Sequence, residues 1–507
     1  MNYRPDQKKL FLWDTWMFAD PDGERMHLFF LANEAGRPWE WVGHAVSRDL
    51  VHWEELPPIQ VRRPKDIYDV GVVGTGMVFR SPDNRFMMSY SSNLDGPQQK
   101  ISFLHSADLV QWDKIWQEPV ITAQPNYYET DGTKAVCKPP AFRDAFIHKR
   151  KEGYEALIGA HATEGPLLLR GCVARYRSND PELKRWKPLP PLFGPGVTML
   201  MELPEYFSIG KKHYLTWCTH SGLGVFCDTP SRPDCTGTFY AIADSYEGPY
   251  ALPADNFLMG AAGGFQGYAG RNVMWRGQLL MYHHLANPES SFAFPKRILQ
   301  NPDGTLKLGY WNGIEATHKE EQTLNLRDVF VVGENIQAGN WEVFAPDGIK
   351  GTIDGGGSLA LIPGELEDIH LHCCLTLQSG TRFGICVREP SAPPPTGKKT
   401  LPGAALQGDL VFGEWQFGTP HHSWCGRINP VEVIRESPER NRGYIIDIIV
   451  RDIYFEAYVD GVWKFTRIIH EHNRCGCIGF FVENGSVVIQ DIKVWKLESM
   501  PHPFRDV

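Results

Sequence analysis

No stretch of 18 apolar residues runs through this chain, so no segment reads as a membrane-spanning helix and no membrane partner is expected. The opening MNYRPDQKKLFLW has neither an apolar core nor a small-residue cleavage site, which reads as no visible secretion signal and a cytoplasmic protein. An excess of positive charge is also missing. The formal net charge of -9 argues against a phosphate-tracking partner such as nucleic acid. Cysteine is thin: 11 residues, an odd number scattered over 507, fit buried free thiols in a reducing compartment better than a disulfide framework. Neither Cys235 nor the Cys475 and Cys477 pair has partners at metal-site spacing, and the adjacent His283 and His284 point to opposite faces of a strand. No metal and no cofactor is expected. The glycine-rich 71–76 resembles a nucleotide loop on paper, but no helix pattern follows it and that reading is rejected. Helical periodicity is scarce throughout.

Aromatics and turn formers are plentiful. Aromatic content of 12% with 49 Gly and 38 Pro favours a turn-rich all-β protein. Residues 10–33 show its basic unit: two short apolar runs joined by Asp20-Pro21-Asp22-Gly23, a β-hairpin with Asp14 at its mouth. The arrangement recurs. Thr75, Asp144 and Glu202 lead similar hairpins, and 269–285 has the same outline. Between the hairpins, HAVSRDLVHW (44–53) is echoed by HSADLVQW (105–112) and more loosely at 174–186 and 240–250. Each echo reads as a turn at the outer end of a unit, with Trp53, Trp112 and Trp186 as core pegs.

Five such units, each about 60 to 70 residues and long enough for a four-stranded sheet, predict a five-bladed β-propeller over 1–312. The innermost strands would line one axial channel and bring the five mouth residues to equivalent places around it. After a short linker the texture changes to alternating apolar segments with turns at Asp460-Gly461 and Asn484-Gly485, predicting a C-terminal β-sandwich over 320–499 with an exposed Pro-rich loop at 390–402. Its role is open between carbohydrate binding, support of the propeller and an oligomer interface; oligomeric state is left open too.

Two or three carboxylates converging at a channel mouth are the groups glycoside hydrolysis needs: one acid protonates the leaving oxygen, and another attacks the anomeric carbon or activates water. Trp13, Trp16, Trp41, Trp217 and Tyr268 would offer flat faces to a sugar, His44 could reach the pocket, and Thr75 and Arg271 could meet substrate hydroxyls.

The same residues resemble glycoside hydrolase family 32, the invertases, inulinases and levanases, with family 43 more distant. The matching pieces are the Asp-led hairpin ending His27-Leu28-Phe29-Phe30, the 41–53 segment WVGHAVSRDLVHW, Phe142-Arg143-Asp144, and 201–207, MELPEYF. The resemblance implies Asp14 as nucleophile, Asp144 as transition-state stabiliser held by Arg143, and Glu202 as general acid/base on a carbohydrate substrate. Asp20 competes with Asp14, because 16–23, WMFADPDG, superficially copies a family motif; turn chemistry favours Asp14. Asp14 would stay ionised while Glu202 has its pKa raised. Departures from the pattern fall in the sugar-binding shell: no clear Asn beside the nucleophile, Ala145 after Asp144, and Leu203 after Glu202. They leave open a retaining, exo-acting β-fructofuranosidase, a hydrolase or transglycosylase for arabinosyl, galactofuranosyl or difructose dianhydride substrates, and a non-catalytic sugar-binding propeller.

Overall fold

The computed structural model describes the chain apart from residues 1, 6–9, 35–38, 62–71, 94–95, 97, 117, 133–136, 224–235, 262–265, 286–289, 332–338, 391–400, 402, 421–427, 471 and 502–507. Cys235, Gly71 and most of the Pro-rich 390–402 segment therefore lie outside the described residues. The chain divides into two compact units, one holding Asn2–Thr229 and Asp234–Leu308, the other chiefly Gly309–Val507.

The first unit is all-β and propeller-like. Its strands form antiparallel sheets in sequence order: β1 (Leu10–Ala19), β2 (Met26–Glu34), β3 (Trp41–Ser47) and β4 (Trp53–Gln60) in the first, then β5 (Gly74–Arg80), β6 (Phe86–Ser92), β7 (Lys100–Ser106), β8 (Asp113–Lys114) and β9 (Ile121–Thr122). The third holds β10 (Phe142–Lys149), β11 (Tyr154–His161), β12 (Gly171–Ser178) and β13 (Lys187–Phe193); the fourth β14 (Glu202–Ile209), β15 (Lys212–Thr219), β16 (Thr236–Ala243) and β17 (Phe257–Ala261). A last set follows with β18 (Gln266–Trp275), β19 (Gln278–Leu285), β20 (Ser291–Phe292), β21 (Lys296–Gln300) and β22 (Leu306–Gly309). The leading strands touch in turn: β1 on β5, β5 on β10, β10 on β14, β14 on β18, and β18 on β1.

The core lies between neighbouring sheets. Successive strand residues face opposite sides. Val78 and Met88 therefore pack toward the first sheet with Trp16 and Phe29, while Phe79 and Met87 pack toward the third with Phe142 and Ile158. Burial on both faces explains why these strands are apolar without interruption rather than alternating. The predicted outer turns are built alike. The Ser47 and Ser106 hydroxyls accept from Leu50 and Leu109 backbone N–H, Asp49 and Asp108 cap the next two amides, and the leucines take φ near +64 and +67. Trp112 and Trp186 donate back to Leu109 and Leu183 carbonyls, fixing each indole against the sheet.

Below the channel mouth the leading strands are cross-linked. Arg271 on β18 donates from Nε to Glu205 Oε1 at 2.6 Å on β14 and from Nη1 to the Gly76 carbonyl at 2.7 Å on β5, with the Thr15 carbonyl of β1 at 3.5 Å. Glu205 also accepts from the Asn272 amides.

The second unit holds two antiparallel sheets sharing one apolar core. Gly357–Leu366, Gly476–Glu483, Arg382–Glu389, Ala404–Asp409, Glu414–Pro420 and Ile428–Ile434 form most of one. Ile369–Ser379, Gly443–Arg451, Tyr454–Val459, Val462–Ile468 and Ser486–Leu497 are in the other. Ile362, Phe383 and Phe480 meet Leu371, Ile446 and Val487 between them. Positive φ at Asp460, Gly461 and Asn484 marks the predicted tight turns.

Glu205→Ala leaves the Arg271 charge buried without its carboxylate and is expected to destabilise this unit by about 3–5 kcal/mol in denaturant unfolding. A loss below about 1 kcal/mol contradicts the cross-link.

Candidate active site

Every leading strand is bulged where it reaches the channel mouth. Register with the next strand slips between Leu12 and Thr15 in β1, Gly74 and Gly76 in β5, Arg143 and Phe146 in β10, Glu202 and Glu205 in β14, and Tyr268 and Arg271 in β18. A bulge re-aims side chains and ends regular pairing. Asp144, Leu203 and Ala269 accordingly sit at φ of +63, +51 and +56. This corrects the expectation of equivalent mouth positions. Asp14 and Thr75 come directly before the residue where pairing resumes, Asp144 two before and Glu202 three before. The acids are staggered through the bulges.

They converge nonetheless. Asp14, Thr75, Arg143, Asp144, Glu202 and Tyr268 line one cavity of about 320 Å³, with Trp13, Trp39, Leu31, Gly74, Leu203 and His220 completing its wall. Thr75 Oγ1 donates a short hydrogen bond to Asp14 Oδ2. Arg143 donates to Glu202 Oε1 at 2.5 Å, the Tyr268 hydroxyl donates to Glu202 Oε2, and Arg143 Nε stands 3.8 Å from Asp144 Oδ2. Asp144 receives the Leu203 N–H at 3.2 Å, and its own N–H donates to Ser91 Oγ at 2.8 Å. Trp13 stacks on Trp39 at 5.5 Å, forming an aromatic side wall.

The structure does not bring Trp16, Trp41, His44, Trp217 or Arg271 to the cavity wall. Trp16 comes after the β1 bulge and stacks on Phe29 in the core; Trp217 packs with Phe193 and Phe239. Trp41 heads β3 opposite Ala32 and Gln60. His44 Nε2 meets His27 Nδ1 at 2.8 Å, and His27 meets Asp20 at 2.9 Å, so this histidine closes a polar chain inside the first sheet. Arg271 is the buried cross-link. Asp20 occupies the hairpin turn just past the end of β1, accepting the Gly23 N–H and pairing with Arg25, away from Asp14 in the middle of that strand. Trp39 and His220, neither singled out in the sequence, flank strands just before β3 and just after β15; position at a hairpin's mouth end was the available signal.

The charges also differ from expectation. Burial, then the Asp144 charge, pushes Asp14 up to about 7 against the Thr75 hydrogen bond. Burial likewise raises Asp144 to about 6 despite Arg143. Burial also works to raise Glu202, but Arg143 and Tyr268 outweigh it and hold this carboxyl below its ordinary value. Around neutral pH these shifts keep Glu202 ionised and a proton near Asp14, the reverse of the predicted assignment.

The glycosyl hydrolases family 32 N-terminal domain matches residues 16–282, more than half of the sequence. The chain belongs to this family. Asp144 and Glu202 fall within the match, which starts two residues after Asp14; the case for Asp14 over Asp20 therefore comes from the cavity. Beta-fructofuranosidase 1 of Zea mays is 32% identical over 203 residues, 36% of this chain and 28% of that protein. Acid beta-fructofuranosidase 1, vacuolar, of a Rosa hybrid cultivar is 33% identical over 130 residues, 23% of this chain and 21% of that protein. The aligned stretches span less than a third of these curated relatives. In fold, the chain resembles exo-inulinase from Aspergillus awamori with a TM-score of 0.68 and 17% identity, covering 98% of each chain. The cytoplasmic reading of the N-terminus is overturned: relatives from rose and Arabidopsis thaliana are named as vacuolar.

Between its unfolded value of 3.8 and its folded value of about 7, Asp14 keeps a proton in the folded chain that the unfolded chain has released, so its contribution to stability falls as pH rises through that window. Asp14→Asn is expected to melt about 5 °C above the unsubstituted protein at pH 8, with the gap narrowing toward pH 4. Equal melting temperatures at pH 8 contradict the assigned burial of charge.

Proposed function

We propose that this protein is a retaining, exo-acting glycoside hydrolase for β-fructofuranosyl linkages, built as a five-bladed propeller over 1–312 followed by a β-sandwich over 320–499. One observation carries the reading: Asp14, Asp144 and Glu202, from three different sheets, share a single cavity. Its volume of about 320 Å³ is at the low end for ligand sites, which favours one terminal sugar ring over an internal stretch of polymer. The Trp13 and Trp39 wall suits the C–H face of that ring.

Asp14 is the nucleophile that attacks the anomeric carbon, and Glu202 protonates the leaving oxygen and then takes a proton from the incoming water. Asp144, fixed by the Leu203 amide, holds ring hydroxyls as positive charge develops. Arg143 and Tyr268 hold Glu202 ionised, so the reactive form, with Asp14 charged and Glu202 protonated, requires one proton to pass from Asp14 to Glu202 as substrate binds. Leu203 on the cavity wall, where the family pattern has a different residue, favours a second reading in which the furanosyl unit is not fructosyl.

Released monosaccharide from sucrose, inulin, levan and aryl furanosides tests the substrate class. Asp14→Asn and Glu202→Gln should each lower kcat by about 10³-fold or more in folded protein, and near-normal turnover in either removes the roles. With Asp14 at about 7 and Asp144 at about 6, the site loses its last transferable proton as pH passes 7. The kcat/KM profile should therefore peak on the acid side and fall above about 7; a rate still rising at pH 8 contradicts this proton ledger.

A further inference from the structure

His284 lies on β19 directly opposite Tyr268 and is fully buried. Its ring packs against Trp13 with centroids 5.0 Å apart, and Nδ1 stands 3.9 Å from Asp14 Oδ1. The two oxygens of Asp14 are thus treated differently: Oδ2 accepts from Thr75, while Oδ1 faces the imidazole. Among the described residues, Asp14 Oδ1 and both His284 ring nitrogens make no hydrogen bond. Burial holds the imidazole neutral, so one nitrogen is a donor and the other an acceptor. Asp144, Glu202, Arg271, Tyr268 and Cys218 also act on Asp14 electrostatically. Arg271 is the sole cation among these, and it is engaged by Glu205.

A buried donor and a buried acceptor held about 1 Å beyond bonding distance are costly to leave unmade. Catalytic hydrogen bonds often tighten when substrate arrives. We propose that His284 is a positioning residue for Asp14: its Nδ1–H closes onto Oδ1 when a sugar fills the cavity, so that Thr75 and His284 fix the carboxylate from both oxygens while Trp13 holds the ring in place. The proposal rests on Asp14 being the nucleophile.

The test compares His284→Asn, whose amide nitrogen can stand where Nδ1 stood, with His284→Leu, which keeps similar bulk and no donor; His284→Ala replaces the leucine variant should it not fold. With sucrose or whichever furanoside is turned over, His284→Leu should lower kcat about 100-fold with KM within about 3-fold, and His284→Asn should recover most of the loss. A second readout needs no substrate: carboxyl ¹³C NMR, with Asp14→Asn identifying the signal, with and without added fructose. In the presence of fructose the Asp14 titration midpoint should be about 0.5 or more higher in His284→Leu than in the unsubstituted protein, and unmoved in His284→Asn. Equal midpoints and equal kcat in His284→Leu overturn the proposal, as does a kcat loss that His284→Asn does not recover. Retained turnover in Asp14→Asn would instead remove the nucleophile assignment, a result the His284 variants alone cannot produce.

Discussion

Four carboxylates, Asp144 and Glu205 buried and Asp14 and Glu202 half-buried, share the channel of the first unit with two arginines, and the way the arginines are divided decides what each acid can do. Arg143 goes to Glu202 at 2.5 Å, with Tyr268 on the other oxygen, and of the four acids only Glu202 ends below its ordinary pKa. Arg271 is committed to Glu205 and to strand carbonyls. Asp14 and Asp144 are left with weaker support away from solvent, where an ion without a close partner is expensive. Their raised pKa values follow. Two acids that titrate near 6 and 7 beside a third held ionised keep an exchangeable proton in the cavity, as the proposed donor and acceptor roles require.

The backbone makes this possible through its bulges. A regular strand would send alternate residues into the cores on either side. Slipping register at Trp13-Asp14, at Thr75, at Asp144-Ala145 and at Leu203-Pro204 frees the acids and Thr75 from that alternation and turns them toward the axis. Farther along the same strands alternation resumes, and there Trp16 and Phe146 return to packing.

Much of this was legible in the sequence. Hairpins with turn residues at fixed offsets, the repeated Ser-x-Asp-Leu turn and its tryptophan peg, and acids at hairpin mouths are local patterns that survive folding. Asp14 was separable from Asp20 because Asp20-Pro21-Asp22-Gly23 is turn chemistry. What was not legible depends on side-chain direction. Near a bulge, sequence distance does not say which face a residue takes, so Trp16, Trp41, Trp217 and His44 looked like cavity residues and are not on its wall. The inverted charges of Asp14 and Glu202 could not be read either, since they depend on Arg143 bonding the acid 59 positions away more closely than its neighbour Asp144. Arg271, expected to touch substrate, is drawn down by Glu205, a residue that had no assigned part.

In the proposed reaction positions 14, 144 and 202 surround one anomeric carbon, with position 14 making the bond. Acid-quenched turnover of an activated β-fructofuranoside, followed by peptide mapping with fragment mass spectra, tests it directly. A sugar ester on Asp14 is the predicted product; an ester on Asp20, or the same substrate consumed with no ester on any carboxylate, would contradict it.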